Sequence, residues 1–444
     1  MANVSYVSSS HPCSHKHTTK CEKSIYFKRK INRERGENGE FGDFIALKCR
    51  IKRSQEKEKE IIEALDEFVT LNFFLNGVKY SEHLPENVMY IRFYDPSMEQ
   101  NEKLNEEDIL YALSNSKYRR FFTLKNMEPI QEPLFLDEEK DSLSTSIGFT
   151  QTELPHSSLD NTWDNLIFPL EIKKNIIGYA STLLKFSSLS VSDDIISSNR
   201  FILFHGPPGT GKTSLAKGFA QKMSIRFNTT YKSSVLIEIN CHSLFSKWFS
   251  QSAKLVSLLF DKILNTYAIN KSMMVFVLVD EIESIGLSRE KSMGKNDPGD
   301  VVRVLNSLLT QLDKAKKFPN VMFIGTSNMD HVLDEALADR VDLDIRIPNP
   351  SLPAIYIILK GIIDELAEKK LLIDEGNYLP LPEISGMQDK FQWGKCKLSG
   401  GLYDKANSLH KQNISARKLR KVALKPFSEA LSDTLTIDDF IRLI

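Results

Sequence analysis

The stretch Phe201 to Ala220 constrains the fold of this 444-residue chain more than any other. It begins with an apolar run of buried-strand length, continues through Gly-Pro-Pro-Gly-Thr-Gly, and becomes a helical pattern from Lys212. Gly206, Gly211, Lys212 and Thr213 fill every fixed position of the phosphate-binding loop, G-x-x-x-x-G-K-[ST]. The stretch therefore predicts a strand, a loop that binds phosphate, and a helix, in that order.

The residue types in this loop explain its chemistry. Glycines let the backbone curl so that successive N–H groups point inward, and the helix start adds its positive dipole end, which suits an anionic triphosphate such as ATP. We expect Lys212 to reach the β- and γ-phosphates and the Thr213 hydroxyl to coordinate Mg²⁺. The residues predicted to bind the nucleotide are Gly206, Pro207, Pro208, Gly209, Thr210, Gly211, Lys212, Thr213 and Ser214.

Charge and apolar patterning limit the partners of the chain. Its 58 Lys and Arg balance its 58 Asp and Glu, so no global field attracts nucleic acid or an anionic membrane. No apolar segment approaches the roughly 20 residues of a spanning helix, and the N-terminus lacks the apolar core of a signal peptide. Five scattered cysteines suit a reducing compartment. We expect a protein of the nucleus or cytosol, without a membrane partner or direct nucleic-acid binding.

A group of histidines and cysteines near the N-terminus has two interpretations. It could bind a metal, but the spacing matches no standard zinc finger and no second ligand pair follows at the usual distance. A solvated tail with incidental metal affinity is the favoured interpretation. The residues concerned are His11, Cys13, His15, His17 and Cys21.

Two acidic residues follow a buried strand downstream of the loop. The run Met274 to Val279 has no polar face, so Asp280 and Glu281 emerge at its end. Asp280 is expected to hold Mg²⁺ through water, and Glu281 to polarise the attacking water. Asn328 ends the next predicted strand, where an uncharged amide can orient water and contact the γ-phosphate without competing for the metal.

Two arginines are further candidates, each with an alternative. Arg340 lies between acids before the last predicted strand; it is either half of a surface salt bridge or a cation that reaches a neighbouring subunit's nucleotide. Arg417, which opens a predicted C-terminal helix, senses the γ-phosphate within its own subunit or is a helix-surface charge. Arg420 is the fallback for this sensing role.

The segment before the loop offers a further candidate contact. Ile167 or Phe168, in the apolar run that precedes a predicted helix, could contact adenine. Core packing is the favoured interpretation for both, because large apolar side chains are usually buried.

Together these motifs resemble an AAA+ ATPase, and within that class the pachytene checkpoint ATPase family, known in animals as thyroid hormone receptor interactor thirteen. The resemblance covers roughly residues 154–444. It rests most on Ile237 to Leu255, with His205 to Lys217, Val277 to Ser284 and Asp300 to Asn306. Where the family usually has Gly before the sensing arginine, this chain has Ala416.

The resemblance implies a ring-shaped homohexamer that uses ATP to unfold part of HORMA-domain proteins, with or without an adaptor, on nuclear chromosomes and also in the cytoplasm. It also implies that Lys247, Trp248 and Phe249 form a first pore loop, whose aromatic rings grip an unfolded segment. Ordinary core packing is the alternative for the two aromatics. Gly286 to Pro298 is the expected second pore loop.

The predicted fold class is α/β: an AAA+ doubly wound parallel sheet with a C-terminal helical lid and an N-terminal α+β recognition domain. The predicted regions are a disordered tail (1–40), a recognition domain (41–125), a linker (126–160), the large ATPase subdomain (161–350) and the lid (351–444). Two rival functions remain, a nucleic-acid ATPase and a nucleotide-binding scaffold that does not hydrolyse.

Overall fold

The computed structural model describes residues 45–51, 88–94, 119–125, 127–134, 146–189, 191, 195–228, 230–241, 252–286, 298–329, 334–373, 397–430 and 434–444. They belong to two compact units, Met1–Thr123 and Leu124–Ile444. The predicted tail, with its histidines and cysteines, lies outside the described residues.

The first unit contains a three-stranded mixed sheet. Its strands are β1 (Ile45–Ile51), β2 (Val88–Tyr94) and β3 (Arg119–Thr123). The spatial order is β2-β1-β3, with β1 antiparallel to β2 and parallel to β3. All three strands lie within residues 41–125, where the sequence predicted an α+β recognition domain.

The second unit is built on a seven-stranded sheet. Its strands are β4 (Ile130–Leu134), β5 (Ser146–Leu154), β6 (Phe201–His205), β7 (Ser233–Asn240), β8 (Met273–Asp280), β9 (Val321–Ser327) and β10 (Leu343–Arg346). The order is β10-β6-β9-β8-β7-β5-β4. The five strands from β10 to β7 are parallel, and β5 and β4 extend the sheet in antiparallel fashion.

Helices precede and connect the parallel strands. They are α1 (Leu170–Ser188), α2 (Lys212–Arg226), α3 (Ser252–Ile263), α4 (Glu283–Gly286), α5 (Pro298–Ala315) and α6 (Glu335–Ala338). A π-helical turn, Leu264–Ala268, continues α3. This alternation is the doubly wound α/β arrangement that the sequence predicted.

Alternate residues of each central strand face opposite helical layers. In β8, Val275 and Val277 belong to a core with α3 and α5, whereas Met274 and Phe276 belong to a core with α1 and α2. Because both faces are covered, the strand has no polar side and reads as a continuous apolar run. Its acidic residues can therefore stand only at its end, on the carboxyl edge of the sheet.

The linker predicted for residues 126–160 is wrong over much of its length. Strand β5 pairs with β7, and β4 pairs with β5. Phe149 is 1% exposed, and Glu132 in β4 forms a 2.7 Å ion pair with Lys262 of α3. Such a polar hairpin at the edge of a sheet has little hydrophobic periodicity, which is why its sequence resembles a linker.

The C-terminal region is helical, with its own core. Its elements are α7 (Leu352–Glu368), β11 (Leu372–Ile373), α8 (Lys397–Lys411), α9 (Ala416–Lys421), α10 (Leu424–Ala430), β12 (Leu435–Thr436) and α11 (Ile437–Leu443). Ile355, Leu359, Leu402 and Phe440 lie in this core. Among the residues that the structure describes, no helix is both long and apolar enough to cross a membrane.

Candidate nucleotide-binding site

The loop between β6 and α2 is tightly curled. Gly206, Gly209 and Gly211 have φ angles of 136°, 78° and 102°, values that other residues rarely adopt. At Gly206 a Cβ atom would lie 2.4 Å from the backbone oxygen of Ile347. Helix α2 starts directly from the loop at Lys212, without a side-chain cap on its first N–H groups. Backbone N–H groups at a helix start favour an anion, so the shape fits a phosphate.

Lys212 lies inside this loop. Its side chain is buried, and its Nζ atom donates hydrogen bonds to the backbone oxygens of Gly206 and Pro207, both at 2.8 Å. Pro208 and Ser214, also predicted to bind the nucleotide, are exposed on the loop and the first turn of α2. The fold thus holds the predicted phosphate-binding cation against the loop.

Asp280, at the end of β8, meets the first turn of α2. Its Oδ1 atom accepts a hydrogen bond from the Thr213 hydroxyl at 2.9 Å, and it also contacts the hydroxyl of Thr326 at the end of β9. Hydroxyl and carboxylate oxygens are ligands that Mg²⁺ prefers. The structure therefore brings together the two residues predicted to hold the metal, and their chemistry fits that ion.

Thr326 also holds Glu281. The Glu281 backbone has φ 57°, an uncommon conformation for a residue with a side chain. Its N–H group donates to the Thr326 hydroxyl at 3.1 Å, and the next N–H, of Ile282, donates to the Thr326 backbone oxygen at 2.9 Å. Sequence patterns gave no role to Thr326. The sequence signal that could have identified Thr326 as a site residue is its place at a strand end, two residues before Asn328.

Asn328 is paired with another acid that the sequence predictions missed. Its backbone N–H and its side-chain Nδ2 both donate to Glu283 Oε1, each at 3.1 Å. Glu283 follows Asp280 and Glu281 closely and opens α4. A third acid so near the pair was a visible signal, but only the structure gives its partner.

Cys241, at the end of β7, packs beside these acids. It is fully buried, and burial raises the pKa of its thiol, with a further rise from the charges of Asp280, Glu283 and Glu281. The thiol therefore stays protonated and packs as an apolar group.

Arg340 lies away from the loop of its own chain. It precedes β10, whose first residue, Leu343, pairs with Ile202 near the start of β6, whereas the loop follows the end of β6. Along β6, the four residues from Ile202 to the start of the loop at Gly206 span roughly 13 Å, so Arg340, which precedes β10, lies at the opposite end of the strand from the loop. The Arg340 guanidinium makes two hydrogen bonds with Asp313, at 3.1 and 2.8 Å. This hydrogen bonding is the main cause of the lowered pKa of the Asp313 carboxyl. The predicted salt bridge is present, and the predicted role in a neighbouring subunit stays a prediction.

The C-terminal region contacts the loop through the start of α9. The Arg417 backbone N–H donates to the Gly209 oxygen at 3.0 Å, and a Cβ atom on Gly209 would lie 3.2 Å from Ser415 Oγ. Ser415 caps α9 by accepting the Lys418 N–H. The backbone of Arg417 thus lies at the loop, its side chain is exposed, and its role in sensing the γ-phosphate stays a prediction.

A cleft opens between the loop and the C-terminal region. Ile167, Phe168, Thr210 and Arg420 line it together with α7. Ile167 and Phe168 are half-buried, so they both pack and present a surface, while the Arg420 guanidinium donates to the backbone oxygen of Asn165 at 3.2 Å. The cleft thus has an apolar wall beside the loop, and contact of Ile167 or Phe168 with adenine stays a prediction.

The predicted pore residues Lys247, Trp248 and Phe249 lie outside the described residues. The same is true of the interior of the predicted second pore loop, residues 287–297. Both remain predictions from the family resemblance.

The fold and the site define an AAA-type P-loop protein. Residues 202–349 match the family model described as "ATPase family associated with various cellular activities (AAA)". A solved structure of C. elegans PCH-2 superimposes with a TM-score of 0.65 and 29% identity, over 90% of this chain and 97% of that one.

Relatives narrow the class further. The pachytene checkpoint protein 2 homolog of Gallus gallus is 37% identical over 381 residues, 84% of each chain. The Homo sapiens homolog is 39% identical over 313 residues, 70% of each chain. This chain belongs to the pachytene checkpoint protein 2 family. It spans 57% of the length of a Caenorhabditis elegans relative, which is 45% identical over 246 residues and 55% of this chain.

Proposed function

We propose that this chain is a Mg²⁺-dependent ATPase. The observation that carries the proposal is the hydrogen bond between Thr213 and Asp280, which joins the phosphate-binding loop to the acidic strand end. A loop of this shape alone could bind any phosphate. Paired with a hydroxyl, a carboxylate and a second acid at the same edge, it has the groups that nucleotide hydrolysis requires.

Each residue then has a defined task. Lys212 pairs with the phosphates, and Glu281, whose backbone is fixed by Thr326, polarises the attacking water. Asn328 orients that water. Thr213 and Asp280 would hold Mg²⁺, which would neutralise charge on the phosphate oxygens.

Two arginines complete the proposed site from different subunits. Arg417 senses the γ-phosphate in its own subunit, supported by the contact of its backbone with Gly209. Arg340 serves a neighbouring subunit, supported by its place at the edge of the sheet away from its own loop. Such sharing requires an oligomer, and we propose a homohexameric ring.

We further propose that the ring remodels HORMA-domain proteins, directly or through an adaptor, on chromosomes in the nucleus and also in the cytoplasm. The chain belongs to the pachytene checkpoint protein 2 family, and it is the resemblance to that family that implies this substrate class. In this proposal Trp248 and Phe249, with Lys247, grip the unfolding segment, and the cycle serves control of meiotic recombination and the spindle checkpoint.

Steady-state hydrolysis by the purified chain tests the first proposal. Wild type should release phosphate only with Mg²⁺, Lys212→Ala should lose nucleotide binding, and Glu281→Gln should bind ATP without turnover. Normal turnover by Glu281→Gln would overturn the assignment. A wild-type chain that binds ATP but does not hydrolyse it would favour the non-hydrolysing scaffold.

A closed HORMA-domain protein tests the second proposal. It should stimulate wild type, whereas Trp248→Ala should keep basal hydrolysis and lose remodelling of the partner. Absence of any effect of the partner would leave the ATPase in place and remove the substrate class. Salt-sensitive stimulation by DNA would instead favour a nucleic-acid ATPase.

A further inference from the structure

Glu283 and Asn328 make a polar contact that the proposed hydrolysis steps leave without a role. Both donors of Asn328, the backbone N–H and the side-chain Nδ2, point to the same oxygen, Glu283 Oε1, at 3.1 Å. Within the described residues the other oxygen, Oε2, is buried and makes no hydrogen bond. The carboxylate of Glu283 thus interacts by hydrogen bonding with Asn328 alone in that part of the chain.

This contact fixes which way the Asn328 amide points. An ionised carboxylate has no hydrogen to donate, so it can face only the NH₂ side of the amide. Nδ2 is therefore turned toward Glu283, and the amide oxygen, Oδ1, is turned away from it. An amide without such a partner could present either atom, because its two orientations have nearly the same shape.

The orientation of the Asn328 amide matters because of where Asn328 lies in the site. It follows Thr326 by two residues, and Thr326 contacts both Asp280 and the backbone of Glu281. The amide is consequently at the same strand end as the two acids. An amide oxygen accepts a hydrogen bond from a water O–H and leaves the lone pairs of the water oxygen available for attack. An amide NH₂ would instead donate to the water oxygen and occupy one of those lone pairs.

We propose that Glu283 is a positioning residue, which holds Asn328 so that Oδ1 faces the water that attacks the γ-phosphate. This inference rests on the proposed ATPase function. Glu283 contributes through Asn328, by accepting its two hydrogen bonds, and takes no part as a base or as a metal ligand.

Two substitutions at Glu283 separate its hydrogen bonds from its charge. Glu283→Gln removes the charge but leaves an Oε1 atom at the same reach, so single-turnover hydrolysis should stay within about 3-fold of wild type. Glu283→Asp keeps the charge but withdraws the carboxylate by one methylene. It should slow hydrolysis by about 10- to 100-fold, as loss of outer-shell partners does elsewhere, with ATP affinity unchanged.

The double variant Glu283→Asp with Asn328→Ala tests whether Glu283 acts through Asn328. It should be no slower than Asn328→Ala alone, because the residue that Glu283 positions is already gone. Effects that multiply would overturn the inference. So would a Glu283→Gln variant as slow as Glu283→Asp, because a base or a metal ligand needs the charge.

Backbone amide exchange keeps the test independent of turnover. The Asn328 N–H should exchange about 10-fold faster in Glu283→Asp than in wild type, and at the wild-type rate in Glu283→Gln. If the wild-type chain does not hydrolyse ATP, the proposed function fails, and equal exchange in all three proteins would separately overturn the positioning contact.

Discussion

Replacing Gly206 with alanine tests the curvature of the phosphate-binding loop directly. Gly206 has φ 136°, and an added Cβ atom would lie 2.4 Å from the backbone oxygen of Ile347. That oxygen cannot move easily, because Ile347 is fully buried and its N–H donates to the backbone oxygen of His205 at 2.7 Å. Either the loop or the ends of β6 and β10 must shift by about 1 Å to reach an ordinary contact distance.

The expected cost has two parts. A residue with a side chain in this region of φ is strained by about 1–3 kcal/mol, and overpacking a buried position costs about 1–3 kcal/mol more. If the loop keeps its shape, the free energy of unfolding falls by about 2–6 kcal/mol. If the loop relaxes instead, nucleotide affinity falls by about 30-fold or more, the same free energy expressed as binding.

Two measurements on the same samples therefore decide the outcome. Urea unfolding gives the change in stability, and titration with a fluorescent nucleotide gives the change in affinity. Gly178→Ala is the matched control, since an added Cβ atom meets nothing within 4 Å on α1, and alanine should stabilise that helix by about 0.5–1 kcal/mol. A Gly206→Ala protein with wild-type stability and wild-type affinity would refute the reasoning.

Three further predictions concern the site and its support. Arg340→Ala and Lys212→Ala proteins should each be nearly inactive, yet mixing them should restore hydrolysis, because one supplies an intact loop and the other an intact arginine; no recovery in the phosphate-release assay would contradict a shared site. Thr326→Val should slow turnover by about 10- to 100-fold and weaken the Mg²⁺ dependence, while Thr326→Ser should behave as wild type; equal rates for both would remove its role. Burial, then the charge and the hydrogen bond of Asp342, raise the pKa of Tyr179. The contribution of the neutral Tyr179 hydroxyl to folding stability is therefore complete below the unfolded-state pKa of about 10 and is lost as pH rises beyond it. Tyr179→Phe should therefore cost about 1 kcal/mol near neutral pH and less at about pH 11, as urea unfolding will show; a constant difference would exclude this linkage.

Local patterns in the sequence determined the central architecture. Strands β6 and β9 are fully buried and β8 is buried between its two end residues, so their apolar runs and the polar residues at their ends are visible without a structure. The loop follows from fixed spacing, since its glycines, Lys212 and Thr213 are neighbours along the chain. For the same reason Asp280 and Glu281 could be proposed in advance, and the hydrogen bond from Thr213 shows that Asp280 lies beside the loop.

The tertiary structure decided what depends on residues distant in sequence. The register of β8 against β9 brings Thr326 to the backbone of Glu281 and Glu283 to Asn328, and no periodicity in either segment encodes that alignment. The hairpin of β4 and β5 resembled a linker because an edge position requires little apolar patterning, and only pairing with β7 revealed it. Spacing along the chain determines a motif, whereas strand register and packing determine which side chains meet.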